Sequence, residues 1–124
     1  ALGADEVFES GARLPGKVDA VIETVGAATW EHSLKSLRPG GRIVVSGATS
    51  GPNPPADLNR VFFLQLSIVG STMGSIQELR DLVDLLDRTG VRPVIDSTWS
   101  LAEGRSAFER LAAGDVHGKL VLVP

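Results

Sequence analysis

The sequence contains no cysteine, so it can build neither a disulfide framework nor a thiolate metal site, which suits a reducing compartment. It has no run of about eighteen apolar residues that would span a bilayer, and no charged n-region leading into an apolar core as a secretory leader requires. A soluble protein of the cytoplasm, without a membrane partner, is the expectation. Nor is there a basic footprint: 12 Lys and Arg stand against 15 Asp and Glu, for a net charge of −3, and the basic residues are scattered along the chain. Nucleic acid is therefore not an expected partner.

The chemical motifs that are missing narrow the field further. There is no Gly-x-Ser-x-Gly elbow, and neither histidine has an acidic partner at a telling spacing, so nucleophilic catalysis has no support. His32 and His117 read as solvated side chains. No third ligand type stands at metal-binding spacing. Glu23 and Asp96 read as strand-end or edge polar groups rather than catalytic acids. The Gly-x-Gly-x-x-Gly fingerprint that cradles a pyrophosphate between a strand and a helix is absent too. The residues thus nominate no catalytic group and no metal ligand.

What is present is a chain of 124 residues, 43% hydrophobic, long enough for a small domain with a core. Glu6-Val7-Phe8 is a short strand candidate. Val18-Asp19-Ala20-Val21-Ile22-Glu23 is apolar and β-branched and stops at Thr24-Val25-Gly26. Trp30, Leu34 and Leu37 share one face of a helix over about Thr29 to Arg38, which Arg38-Pro39-Gly40-Gly41 breaks. A strand over Arg42–Ser46 leads to Gly47 and a loop rich in Gly, Ser, Asn and Pro. Asp57 can cap a short helix through Leu66, and Ser67–Ser71 is a further strand.

Downstream, Ser75 and Glu78 form a capping box for a helix with Leu79, Leu82, Val83 and Leu86 on one side and Gly90 beyond its end. Pro93–Trp99 alternates like a half-buried strand. A second box, Ser100 with Glu103, opens a helix carrying Ala107, Phe108 and Leu111 inward and stopping at Gly114, and Lys119–Val123 is a last strand. Strands of continuous Val and Ile that alternate with helices predict an α/β fold with a parallel sheet covered on both faces.

In such a sheet ligands bind beyond the carboxyl ends of the strands. Three ends qualify here: Thr24-Val25-Gly26, Ser46-Gly47-Ala48-Thr49 and Ser71-Thr72-Met73-Gly74. Each is small and contains glycine, so a flat ligand can approach the backbone and bond its N–H and C=O groups.

Five segments in order carry a family resemblance: Leu2-Gly3-Ala4-Asp5; Val18 to Gly26; Leu37-Arg38-Pro39-Gly40-Gly41-Arg42-Ile43-Val44; Gly70-Ser71-Thr72-Met73-Gly74-Ser75; and Gly118-Lys119-Leu120-Val121-Leu122. Together they resemble the C-terminal part of the medium-chain dehydrogenases/reductases, the zinc-type alcohol dehydrogenase and quinone oxidoreductase superfamily. The resemblance implies strands three to six of a Rossmann sheet, beginning at Glu6, Val18, Arg42 and Ser67. Residues 1–75 would be the C-terminal part of the dinucleotide-binding domain, and 76–124 a segment packing at the junction with a GroES-like catalytic domain. The first two strands, the glycine fingerprint and any zinc ligands would lie upstream of Ala1.

The implied activity is hydride transfer between NAD(H) or NADP(H) and a carbonyl, alcohol or activated alkene, a small-molecule substrate, with this segment inactive alone. A non-catalytic nucleotide-binding or assembly module is the alternative. Carried over by position, Thr24, Val25 and Gly26 would lie near the adenosine and ribose part of the cofactor. Ser46, Gly47 and Ala48 would lie against the nicotinamide. The Ser71 C=O and Met73 N–H, flanking Thr72, would hold the carboxamide, and Lys119 would meet the pyrophosphate or ribose side. The order 3-2-1-4-5-6 would leave the strand at Glu6 without neighbours and bare one edge of the strand at Val18, which predicts homo-oligomerisation through a sheet edge, either that one or the strand at Ser67–Ser71.

Overall fold

The computed structural model describes residues 3–124; Ala1 and Leu2, the latter opening the Leu2–Asp5 motif, lie outside the described residues. The chain forms two compact units, Ala1–Met73 and Gly74–Pro124. The first contains β1 (Val18–Glu23), α1 (Ala27–Ser36), β2 (Leu37–Val45), α2 (Leu58–Phe63) and β3 (Ser67–Gly70). The second contains α3 (Ile76–Thr89), β4 (Ile95–Ser100), a 3₁₀ turn (Leu101–Glu103), α4 (Gly104–Ala113) and β5 (Lys119–Val123).

In the first unit the three strands form a parallel sheet in the order β1-β2-β3. Parallel neighbours need a crossover between them, and α1 and the segment containing α2 supply the two. One face of α1 buries Trp30 and Leu34 against Leu37, Ile43 and Leu66, with Val18, Val21, Val45, Val61 and Leu64 packed around them. Helix α2 starts at the Asp57 side chain, which accepts a hydrogen bond from the Arg60 N–H at 3.3 Å.

Three expectations change here. The strand at Glu6-Val7-Phe8 is not formed: no segment among the described residues pairs with it, Val7 is 86% exposed, and β-structure exists only where a neighbour takes the backbone hydrogen bonds. Leu37 begins β2 instead of ending α1, because Pro39 disfavours helical backbone at Arg38. The Pro-Gly-Gly that breaks the helix then lies inside the strand as an irregularity, with Val18 opposite Leu37 but Ala20 opposite Arg42, and the Gly40 N–H anchors it to the Leu64 carbonyl at 2.7 Å. Finally, the sheet is not covered on both faces. Ile22 and Val69, which flank Val44 in register, remain 68% and 43% exposed.

In the second unit α3 begins with the expected reciprocal box: Ser75 Oγ accepts from the Glu78 N–H, and the Glu78 carboxylate accepts from the Ser75 N–H at 2.6 Å. Gly90 and Gly114 close α3 and α4 with left-handed backbone. The Glu103 carboxylate reaches back to the Ser100 N–H and hydroxyl. Strands β4 and β5 pair in parallel, joined through α4. Ala107 is buried, but Phe108 and Leu111 stay exposed, as do Leu79, Leu82 and Val83 of α3. A two-stranded sheet has too little area to cover two amphipathic helices.

Asp96 does more than decorate a strand. Its carboxylate accepts from the His117 N–H, the Ser97 hydroxyl and Arg110 Nη2, tying β4 to α4 and to the loop before β5. The His117 N–H first, and then the Ser97 hydroxyl, hold it below the ordinary carboxylate range. No helix among the described residues is long and apolar enough to cross a membrane.

Candidate functional site

Glu23 lies opposite Val45, and Val45 opposite Gly70, so the three strands of the first unit end at one level. The ladder continues one residue further, with the Ser46 N–H donating to the Glu23 carbonyl and the Ser71 N–H to the Val45 carbonyl, each at 2.9 Å. The chain therefore leaves all three strands from one edge of the sheet. This brings Thr24, Val25 and Gly26 together with Ser46, Gly47 and Ala48, and these with Ser71, Thr72 and Met73. Lys119 belongs to the second unit, where it opens β5 opposite Ile95 at the amino end of that two-stranded sheet.

The first turn is built around Glu23. Its carboxylate is buried, with the residue only 2% exposed, and it accepts four hydrogen bonds. One oxygen takes the Val25 N–H (2.9 Å), the Gly26 N–H (3.0 Å) and the Thr29 hydroxyl (2.8 Å); the other takes the Ser33 hydroxyl (2.5 Å). Burial by itself raises the pKa of such a group. The hydrogen bonds, led by Ser33 and the Gly26 N–H, outweigh it and lower the pKa from 4.5 to about 2. Glu23 is thus an ionised organiser of the turn and not merely a strand-end polar group. The sequence signal was the pair Thr29 and Ser33, four apart on a helix face that looks back at the strand end.

The same bonds consume the N-terminus of α1. Val25 and Gly26 N–H go to Glu23, Ala27 N–H to the Gly51 carbonyl, Ala28 N–H to Ser50 Oγ, and Thr29 and Trp30 N–H to the Gly26 carbonyl. A helix N-terminus attracts anions through free donors; here none of these six is free.

The second turn locks onto the first. Gly26 has φ +93°, and a Cβ built on it would stand 2.5 Å from the Gly51 carbonyl oxygen and 2.9 Å from Ala48 Cα. A Cβ on Gly47 would stand 2.6 Å from the Thr24 carbonyl oxygen. The two turns pass at a separation that only glycine allows. Beside them a cavity of about 250 Å³ is lined by Glu23, Gly26, Trp30, Val45, Gly47 and Ala48 among others. Trp30, one of these lining residues, has a buried Nε1 with no partner among the described residues.

What the shelf leaves open is main chain. Among the described residues, the Thr24, Gly47, Ala48 and Met73 N–H groups and the Ser71 C=O carry no intramolecular hydrogen bond. A Cβ on Gly70 would meet nothing within 4 Å. Main-chain donors and acceptors around small residues can orient a planar amide or ring but cannot transfer a proton. His32 is half-buried, with Nε2 2.8 Å from the Ala12 carbonyl, rather than solvated, and it lines a pocket together with Thr24 and Val25. Among the described residues no group of three or more His, Cys, Asp or Glu is placed to hold a metal, so these residues do not fit a zinc site.

The chain is similar to acryloyl-coenzyme A reductase of Sulfurisphaera tokodaii, at 32% identity over 94% of this chain and 35% of that protein. It is also similar to quinone oxidoreductase of Pseudomonas aeruginosa, at 31% identity over 87% of this chain and 36% of that protein. Among solved structures, the cobalt- and zinc-bound thermostable alcohol dehydrogenase of Pyrobaculum aerophilum superimposes with a TM-score of 0.79 and 30% identity. That match covers 88% of this chain and 33% of the other. The chain thus spans about a third of the length of the relatives it matches. The zinc-binding dehydrogenase profile matches residues 2–122. The chain belongs to the zinc-binding dehydrogenase family, within the medium-chain dehydrogenases/reductases.

Proposed function

We propose that the shelf at residues 24–26, 46–48 and 71–73 holds the nicotinamide half of NAD(H) or NADP(H). In the intact protein the hydride would pass between that ring and a small carbonyl, alcohol or activated alkene. The observation that carries this reading is the common level of Glu23, Val45 and Gly70, from which three turns present unpaired main-chain groups side by side. Ser46, Gly47 and Ala48 would back the ring. The Ser71 C=O and Met73 N–H would take the two ends of the carboxamide beside Thr72, fixing which face of the ring is offered. Thr24, Val25 and Gly26 would border the ribose.

Gly70 tests the reading. It stands two residues after Ile68, opposite Val45, which lines the cavity, and a Cβ there meets open space. Gly70→Val in the intact protein is expected to leave the melting temperature within about 2 °C, since β-branched residues suit strands. It is expected to weaken NADH or NADPH at least roughly tenfold, the cost of filling a contact surface, while ADP-ribose, which lacks the nicotinamide, binds as before. Equal effects on both ligands would place the nicotinamide elsewhere.

Association through a sheet edge belongs to the same proposal. Every residue of β3 is exposed, Ile68 and Val69 at 45% and 43%, and β3 has a partner on one side only. Unpaired apolar edges recruit other strands. Light scattering is expected to give a mass at least twice that of one chain; a monodisperse monomer with a cooperative melt would remove this part of the proposal.

A further inference from the structure

We propose that Ser50 is a positioning residue, a staple that holds the two cofactor-facing turns as one surface; the inference rests on the nicotinamide reading above. Its hydroxyl donates to the Val25 carbonyl at 2.7 Å and accepts from the Ala28 N–H at 2.9 Å. Its own N–H donates to the same Val25 carbonyl at 2.7 Å. One exposed serine therefore contacts the turn after β1 twice and the first turn of α1 once. The neighbouring Gly51 extends the clasp, its carbonyl accepting from the Ala27 N–H at 3.0 Å and its N–H donating to the Ala48 carbonyl at 3.1 Å.

The consequence reaches the shelf through the backbone. Gly47 and Ala48, with unpaired N–H groups, lie between Ser46, pinned to Glu23, and Ser50, pinned to Val25. Three residues held at both ends over a glycine contact have little room to move. With the hydroxyl removed, the Ala28 N–H loses its acceptor and the far end of that segment keeps only main-chain bonds. Ser50 lies outside the sheet and the core cluster, so its truncation opens no cavity. That separates an effect on the shelf from an effect on folding.

The test compares Ser50→Ala and Ser50→Thr with the unaltered full chain. Amide hydrogen exchange without ligand is expected to quicken about tenfold at Ala28 and at residues 47–49 in Ser50→Ala, the effect of losing one hydrogen bond. It should return toward normal in Ser50→Thr, which keeps a hydroxyl. NADH affinity should fall by a similar factor in Ser50→Ala alone, with the unfolding midpoint in denaturant nearly unchanged. Unchanged exchange overturns the staple. Faster exchange with unchanged NADH affinity overturns the positioning role. A loss of affinity that merely follows a loss of global stability, with no recovery in Ser50→Thr, overturns it as well. If the unaltered protein binds no nicotinamide nucleotide, the functional reading fails, and the exchange data still decide whether Ser50 fastens the turns.

Discussion

Glu23→Gln is expected to cost about 3 kcal/mol of stability at pH 7, and the cost should fade as the pH is taken down to 2. The carboxyl is held at about 2 in the fold against an ordinary 4.5, and each pH unit of such a difference is worth about 1.4 kcal/mol. The folded pKa is the lower one, so the stabilisation is complete above about pH 4.5 and is lost as the pH falls toward 2. Glutamine matches the shape and keeps one acceptor oxygen. It also turns an amide NH₂ toward a site already filled with donors from Val25, Gly26, Thr29 and Ser33, leaving some of them buried and unpaired.

Urea unfolding followed by circular dichroism between pH 7 and pH 2 measures this. Wild type and Glu23→Gln should differ most at neutral pH and converge in acid. A variant within about 0.5 kcal/mol of wild type at pH 7, the range of ordinary surface substitutions, would show that the carboxylate does not hold the turn. The same variant should also bind NADH poorly, because Val25 and Gly26 lose the anchor that sets their direction.

The second large effect is expected at Gly26. Its φ of +93° and ψ of −132° lie where side-chain-bearing residues are strained by roughly 1–3 kcal/mol. The added methyl would also strike the Gly51 carbonyl and Ala48 Cα, both backbone atoms that cannot rotate away. Gly26→Ala is therefore expected to lose at least about 3 kcal/mol and to separate the two turns, abolishing NADH binding. Gly40→Ala is the control. Gly40 also has positive φ, at +75°, but a Cβ there meets nothing within 4 Å, so only the backbone term of about 1 kcal/mol applies. Equal losses in the two variants, measured by chemical denaturation, would mean that the turns do not pass as closely as described.

Both variants probe a site whose parts differed in how visible they were beforehand. Small, glycine-bearing strand ends at residues 24–26, 46–48 and 71–73 are local features, and parallel strands of β-branched residues imply that such ends gather on one edge. Glu23 as the centre of the first turn had only the indirect signal of Thr29 and Ser33 four apart, and Ser50 as the clasp of the second had none. Their partners lie 2–10 and 22–25 residues away, and no local propensity reports which side chain a strand end will face.

Local chemistry was enough for the elements whose hydrogen bonds close within a few residues. The caps at Asp57 and Ser75, the left-handed stops at Gly90 and Gly114, and the β-branched runs of β1 and β3 all lie where the amino-acid sequence puts them. Tertiary structure decided whatever depends on a partner distant in the chain. Glu6-Val7-Phe8 has strand composition and no neighbour among the described residues, so it is not a strand, while Leu37–Gly41 has breaker composition and is drawn into β2 because β1 lies beside it. Caps and stops are short-range bonds written in adjacent residues. Strand pairing, burial and the meeting of two turns are settled only when distant segments compete for the same contacts.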